Sequence, residues 1–377
     1  MKHAQGVFDD YILVANSAAI TGSFAGTGDP INAGIRAYFD MVNAAGGIDG
    51  RMIRFLHQDD GYDADVAQKI FREFCYDRHI FAYVGHFGAP VVAQTLSEMR
   101  GCGIPVVYFG TGIGELYVEH AGDFAQGANC YPIQPIYITE GRIMTATAVS
   151  ELDAKRIGVL YTSNKIGKDL FSGIDKEAAY LDISLISQEI DMDKKNYEEQ
   201  IHDLKEKNPD IVLIAAAQES FPEIVQAMCR QEFFCPVLTT YVNAVVTTAL
   251  QILPAVTGKF EVYATGWLDY GEEHGEELEL AAQWLGDYAM NGYAHCGWIG
   301  AHFFCEGLRR LKGKEVTWES FREAMESAPI RIPFGGMVDY AKGQRIGTQE
   351  MSLYRLDPMS PACWTEIRGL YSFCHES

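Results

Sequence analysis

Apolar and polar positions recur in two periods along this chain. Short runs rich in Val, Ile, Leu and aromatic residues alternate with longer stretches in which apolar residues return every three or four positions. In the first third, the runs Tyr11–Asn16, Met52–Gln58, Phe81–Val84 and Pro105–Tyr108 read as strands. Helices are predicted between them near Pro30–Ala45, Ala64–Cys75 and Val91–Arg100, with Asp63 as the N-cap of the second. Tyr11–Val14 leads into a Gly-rich polar turn, Thr21–Gly28. A helix with Ala33, Ala37, Met41 and Ala44 on one side follows, then a Gly46-Gly47-Ile48 stop and a second strand. That is a β-loop-α-β unit whose loop is of a ligand-contact type.

Near Gly127–Pro135 the texture changes to GANCYPIQP, which predicts a crossing segment. A second series then begins, with strands at Ile157–Tyr161, Ser184–Glu189, Ile211–Ala215 and Val237–Thr240. Its helices fall at Lys168–Tyr180, Tyr197–Lys207 and Phe221–Arg230. The run Val262–Gly266 is predicted to cross back, ahead of helices at Glu276–Met290, Tyr293–Leu311 and Thr317–Ser327. The tail FGGMVDYAKGQRIGTQEMSLYRL reads as a hairpin-like pair around an Asp339–Gly347 turn. The expected class is α/β, two Rossmann-like lobes joined by a multi-strand hinge. Lobe 1 is expected over residues 1–131 plus 264–332 and lobe 2 over 132–263 plus 333–377, with a ligand cleft between them.

Composition narrows the function. The chain has 377 residues, 48% hydrophobic and 21% charged, enough for two cores and too apolar for a disordered chain. A formal net charge of −21 repels phosphate backbones, so nucleic acid is not an expected partner. No apolar run is long enough to span a bilayer, and Met1–Asp10 does not read as a secretory leader. Nine cysteines without a CxxC pair predict buried thiols, with one or two disulfides left open.

Taken in order, several segments resemble a known family: ITGSFAGTGDPINAGIRAYFDMVNAAGGIDGR, DDGYD, VGHFGAPVVAQTLSEMRGCGIPVV, YITEGRIMTATAV, VLYTSNKIGKDLFSG, NPDIVLIAAAQESFPEIVQAM and FGGMVDYAKGQ. Each is weak alone; their order and spacing together are strong, and the match they mark spans nearly the whole chain. The chain resembles extracytoplasmic solute-binding proteins of the type I periplasmic-binding fold, in the branched-chain amino acid (Leu/Ile/Val) branch that serves ABC importers. The resemblance implies a ligand gripped by strand-end loops of both lobes. By position, the lobe 1 contacts fall on Ser23, Phe24, Thr27, Phe87, Gly88, Ala89, Gly110 and Thr111. The lobe 2 contacts fall on Ile166, Gln218 and Tyr241, and Tyr293 takes an aromatic wall position.

The chain also departs from that pattern. Amino-acid binders of the family usually carry a Ser where Ala89 stands, to help hold the ligand carboxylate. They usually carry an acid near Tyr241 for the ammonium, and often a Tyr at Ile166. The ammonium clamp is therefore missing from the expected place, with Glu219 and Asp269 as nearby substitutes. The small residues Gly88, Ala89, Gly110 and Gly112 would let backbone N–H groups approach a ligand, and the helix start after Ala89 reads as an anion seat. Aromatic surface from Phe24, Phe87, Phe109, Tyr241 and Tyr293 would bury an apolar body.

Other signals carry less. The run Gly110-Thr111-Gly112-Ile113-Gly114 lacks a full GxGxxG, and Ile166-Gly167-Lys168-Asp169 lacks most of a P-loop. His295, Cys296, His302 and Cys305 share one predicted helix and read as buried packing before metal ligands. His86 reads as structural, with a pH-sensing or ligand-touching role the alternative. Asp59 and Asp60 read as loop caps. No nucleophile–base pair is evident. The expectation is therefore a non-enzymatic receptor with no cofactor, no metal and no catalytic residues. Its expected partners are a small-molecule ligand and an ABC permease/ATPase complex, with the receptor itself a monomer. It is expected outside the cytoplasm, periplasmic or lipid-anchored, with its leader absent from this chain. A cytosolic ligand sensor on the same fold is the alternative.

Overall fold

The first apolar run folds as β1 (Tyr11–Ala18), and α1 (Ala25–Ala44) follows a single 3-10 turn at Gly22–Phe24. A computed structural model describes residues 4–194, 197–217, 220–271 and 274–373. The chain continues through β2 (Met52–Asp59), α2 (Ala64–Arg72), β3 (Ala82–Phe87), α3 (Ala89–Cys102), β4 (Val106–Gly110) and the short β5 (Cys130–Tyr131). It then builds α4 (Tyr137–Ser150), β6 (Ile157–Thr162), α5 (Lys165–Tyr180), β7 (Leu185–Ile190), α6 (Tyr197–Glu206), β8 (Ile211–Ala215), α7 (Ser220–Arg230), β9 (Val237–Thr239), α8 (Val246–Val256) and β10 (Val262–Gly266). The remaining elements are α9 (Gly275–Leu285), α10 (Gly292–Arg309), α11 (Trp318–Glu326), β11 (Ile330–Arg331), β12 (Met337–Val338), β13 (Glu350–Leu356) and β14 (Trp364–Ser372).

These elements form two units, Met1–Gln134 with Tyr270–Thr348, and Pro135–Asp269 with Gln349–Ser377. The first holds a parallel sheet in the order β2-β1-β3-β4-β5. The second holds the order β14-β13-β10-β9-β8-β6-β7, parallel from β10 to β7, with β13 and β14 added antiparallel. Read from β7, the parallel strands of the second unit repeat the order of the first. In such sheets the strand order reverses once, here between β1 and β3 and again between β6 and β8. The carboxyl ends beside that reversal are where α/β sheets bind ligands.

Both cores are dry. Every residue of β3 and of β8 is buried, as parallel strands covered on both faces require. Each unit also carries one close helix crossing made by glycines. A Cβ on Gly34 of α1 would lie 1.9 Å from the Ala294 carbonyl oxygen, and one on Gly297 of α10 would lie 1.9 Å from that of Ile31. In the second unit a Cβ on Gly141 of α4 would come to 2.1 Å from the Leu170 oxygen, and one on Gly173 of α5 to 2.0 Å from that of Ile138. Only a bare Cα fits these backbone approaches.

Several sequence expectations change. α1 begins at Ala25, so Thr27 stands in its first turn rather than in a loop, and Pro30 falls inside the helix. The crossing segment contains a strand, β5. Val262–Gly266 does not cross back: as β10 it pairs with β9 and β13 in the second unit. The predicted helix to Met290 stops at Leu285, where Gly286 takes φ 56°. Residues 333–348, expected in lobe 2, belong to the first unit, and the expected tail hairpin does not form. β12 pairs with β11 while β13 pairs with β14. The segment between them is held by Arg345, fully buried, whose guanidinium meets Glu326 at 2.6 Å and the Ala128 carbonyl at 2.6 Å. Tyr131 and Tyr340 face that guanidinium at 4.8 and 5.5 Å from their ring centroids. Its two terminal nitrogens are bonded while the buried Nε has no partner among the described residues, and the bonded pair fixes the loop where it lies.

Candidate functional site

Because β1, β3 and β4 are parallel, their carboxyl ends place Phe24, Phe87 and Gly110 on one edge of the first unit. Phe87 ends β3 and pairs in register with Gly110, which ends β4. A side chain on Gly110 would begin 3.0 Å from the Phe87 ring, which is why a glycine stands there. Gly88 follows at φ 101° and ψ 127°, a conformation that only glycine adopts cheaply, and turns the chain into α3 at Ala89. Thr111, the next residue after β4, is 4% exposed, and its Oγ1 has no hydrogen-bond partner among the described residues. Thr27 lies close to the Tyr293 phenol and pulls its pKa down, and Tyr293 remains 42% exposed. Ser23 lies in the 3-10 turn before α1; its side chain is outside the described residues.

One residue absent from the sequence-derived set joins this cluster. Tyr62, in the turn after β2 at φ 68°, stacks its ring on Phe24 at 3.8 Å between centroids and 17° between planes. Phe87 lies 5.6 Å from Tyr62 and 6.3 Å from Phe24, completing an aromatic group of three. The turn that presents Tyr62 is fastened by its acids. Asp59 accepts hydrogen bonds from the N–H of Ile20 at 3.0 Å, the Thr21 hydroxyl at 2.5 Å and the N–H of Gly61 at 3.0 Å. Desolvation works against it, but the bonds from Thr21, Gly61 and Ile20 hold the Asp59 carboxyl below its ordinary pKa. Asp60 is buried, which raises its pKa, and accepts from the Tyr62 N–H at 2.9 Å. Both aspartates act as turn anchors, and Asp63 caps α2 through the N–H groups of Asp65 and Val66. The signal for Tyr62 was present in DDGYD, an aromatic residue inside an acidic strand-end turn.

The second unit places Tyr241 just beyond β9 and Ile166 in the first turn of α5, which Asn164 caps. Gln218, beyond β8, and the substitute acid Glu219 are outside the described residues. Asp269 is buried at 8% exposure. Tyr241 packs near Tyr137 at 6.4 Å and edge-on to Trp267 at 6.5 Å, and its hydroxyl donates to the Pro135 carbonyl at 3.4 Å. The acid beside Tyr241 comes from another element altogether. Glu140 of α4 is fully buried and accepts from the Tyr241 N–H at 2.8 Å, the Thr240 hydroxyl at 2.8 Å and the Thr265 hydroxyl. Burial pushes its carboxyl up to about 7, against the downward pull of those three bonds. Glu140 fixes the loop that carries Tyr241.

The histidines that the sequence singles out are engaged by neighbouring groups. His86 is fully buried with Nε2 2.7 Å from the Thr95 hydroxyl, and burial drives its pKa down to about 3, so it stays neutral. His295 contacts the Tyr270 hydroxyl at 3.0 Å and the Ala289 carbonyl at 2.9 Å, and His302 contacts the Tyr38 hydroxyl at 2.9 Å. Phe109 is core, fully buried. Among the described residues no His, Cys, Asp and Glu group is placed to hold a metal, and no helix is long and apolar enough to cross a membrane. Eight cysteines there are free thiols.

Comparison with known proteins agrees with this architecture. A family model described as periplasmic binding protein matches residues 12–360. The Leu/Ile/Val-binding protein homolog 2 of Brucella abortus (strain 2308) is 31% identical over 100 residues, 26% of this chain. The match spans 27% of that curated relative's own length. Among solved structures, the chain is similar to a fatty acid ABC transporter substrate-binding protein from Thermomonospora curvata. There the TM-score is 0.79 at 17% identity, covering 99% of this chain and 95% of that one. It is also similar to a branched chain amino acid ABC transporter from Thermus thermophilus with bound valine, with a TM-score of 0.76 at 14% identity and 97% of each chain covered. At these identities the structural likeness establishes the fold.

Proposed function

Since the chain belongs to the periplasmic binding protein family, we propose that it is a solute-binding receptor. It captures a small metabolite with an apolar or aromatic body, an amino acid or a related carboxylate or amide, and delivers it to an ABC importer. Each unit supplies one wall from its strand-end loops. The chain passes between units at Gln134/Pro135, Asp269/Tyr270 and Thr348/Gln349, and the units close about these passages when ligand binds. Closure follows only if the ligand has a higher affinity for the closed state.

The observation that carries the reading is the cluster at the edge of the first sheet. Phe24, Phe87, Gly88, Ala89, Gly110 and Thr111 meet beside the strand-order reversal, where α/β sheets bind ligands. From the second unit, Ile166, Gln218 and Tyr241 are the proposed contacts, and Ser23, Thr27 and Tyr293 complete the first wall. A micromolar ligand needs about 8 kcal/mol, most of it from burial against these rings.

The test is a thermal-shift screen on protein unfolded and dialysed to strip carried-over ligand. The panel holds aliphatic and aromatic amino acids, aromatic and branched carboxylates, and their amides. A saturable rise in melting temperature with one chemical class is the expected result. A stripped, refolded protein that responds to none of them counts against the reading. A cytosolic ligand sensor on the same fold is a second reading, favoured by the eight free thiols. Cell fractionation separates the two.

A further inference from the structure

The first turn of α3 is the position at which the sequence pattern suggests an anion seat, yet its first two positions are poorly furnished for one. The Ala89 N–H, the first of the helix, faces the Tyr62 hydroxyl and pulls its pKa down against the rise that burial causes. Pro90, its second, has no N–H to give. The Tyr62 ring also fills the space above Gly88: a Cβ there would lie 2.5 Å from its Cε2. Around this plug the charge is negative, with Asp59 and Asp60 before Tyr62 and Asp63 after it in the same turn. A carboxylate arriving at α3 would meet a neutral phenol, a missing donor and nearby acids.

What the edge does offer is of another kind. The stacked rings of Phe24 and Tyr62, with Phe87 beside them, present flat apolar surface. Thr111, buried and with its Oγ1 unpartnered, offers a neutral group that can donate or accept.

We propose that Tyr62 is a specificity-determining residue that closes the α3 N-terminus to carboxylates, so that the first unit selects a solute with a flat apolar face and a neutral hydrogen-bonding group. This rests on the solute-binding reading for its biological sense, but the closed seat is a property of the first unit alone and is tested separately.

Acetate is the probe for the seat, because it needs nothing else. The Ala89 amide resonance is followed by NMR as acetate is added to the full chain and to its Tyr62→Phe and Tyr62→Ala variants. Phenylalanine keeps the ring and frees the N–H; alanine also opens the space. The wild-type resonance is expected to stay put while Tyr62→Ala titrates, with acetate bound about tenfold tighter or more, the worth of a charge-assisted hydrogen bond. Tyr62→Phe falls between. A wild-type amide that titrates as strongly as Tyr62→Ala overturns the proposal. Silence in all three overturns it as well, since Tyr62 would then not be what closes the seat.

Calorimetry on matched pairs, an aromatic carboxylate and its primary amide, supplies the second readout. The wild type is expected to prefer the amide about tenfold, and Tyr62→Ala to lose that preference. Equal affinities in the wild type overturn the selection. If no pair binds, the solute-binding reading fails while the acetate titration still decides the role of Tyr62.

Discussion

In the first unit the strand-end wall is Phe24, Tyr62 and Phe87, held by ring stacking and by acids that grip backbone N–H groups from exposed turns. In the second, the proposed contact Tyr241 stands with the rings of Tyr137 and Trp267, and its backbone hangs from a carboxylate buried beneath it. The strand order and the glycine helix crossings are the same in both. The difference shows that the fold sets where a wall stands, while non-local side chains set what it is made of and which conditions disturb it. Stacking carries no charge to titrate, whereas the carboxylates that fasten the loops do, and burial raises Asp60 in the first unit as it raises Glu140 in the second.

The most severe way to break the comparison is Glu140→Ala. It removes the acceptor of the Tyr241 N–H and of the Thr240 and Thr265 hydroxyls. Leaving these groups unsatisfied is expected to cost about 3 kcal/mol or more, read as a lowered urea midpoint. An unchanged midpoint would mean that the loop does not depend on this carboxylate.

Next come the helix crossings, where the units are expected to behave alike. Gly297→Ala and Gly173→Ala each drive a Cβ into a backbone carbonyl, at 1.9 and 2.0 Å. Each is expected to lose about 1–3 kcal/mol. A loss confined to one of them would show that the scaffolds differ as well as the walls.

A pH series sharpens the contrast further. Burial raises the Glu140 carboxyl from the usual 4.5 to about 7 in the folded chain. Between those values the folded state binds the proton that the unfolded state has released. Stability from this group is therefore full below about 4.5, falls as pH rises toward about 7, and is level above it. The steepest slope is about 1.4 kcal/mol per pH unit. Glu140→Gln should flatten that part of the profile, measured as the difference in unfolding free energy between variant and wild type. A difference that is constant from acid to neutral pH would remove the titration from Glu140.

The smallest effect is expected at Phe24. Phe24→Ala removes the ring that stacks on Tyr62 at 3.8 Å. It should weaken any bound aromatic solute by up to about tenfold by calorimetry, aromatic pairs contributing about 0.5–1.5 kcal/mol. Unaltered affinity would move the wall elsewhere.

Local signals in the sequence carried much of this architecture. Continuous apolar runs marked the parallel strands, although the local pattern ended two of them at Val84 and Tyr108, short of Phe87 and Gly110, which only the family resemblance pointed to. The failures are non-local. The tail looked like a hairpin because two alternating runs flank a polar, Gly-containing segment. Arg345 ties that segment to Glu326 and Ala128 instead, and no local pattern announces a buried ion pair. Tyr62 stacks on a ring 38 positions earlier in the sequence, so its part in the cluster could not be read from DDGYD alone. Glu140 sits in an apolar helix, and two of its partners lie 100 and 125 residues away. Thr27 was taken for a loop residue because ITGSFAGTGD has the composition of a turn, although its second half is helix.

The buried Arg345 also bears on the order in which the molecule can be completed. Its partners Ala128 and Glu326 and the ring of Tyr131 wait for it, and the second unit likewise waits for β13 and β14. Neither unit is a continuous stretch of chain, and the last piece of the first, Tyr270–Thr348, is complete only 214 residues after the first excursion ends at Gln134. At synthesis rates of about 5–20 residues per second, that is roughly 10–40 s during which neither unit can close its core. Each unit is finished by a late segment of its own, so ribosome-bound chains interrupted before residue 345 should resist proteolysis no better than unfolded ones in the region of Tyr131.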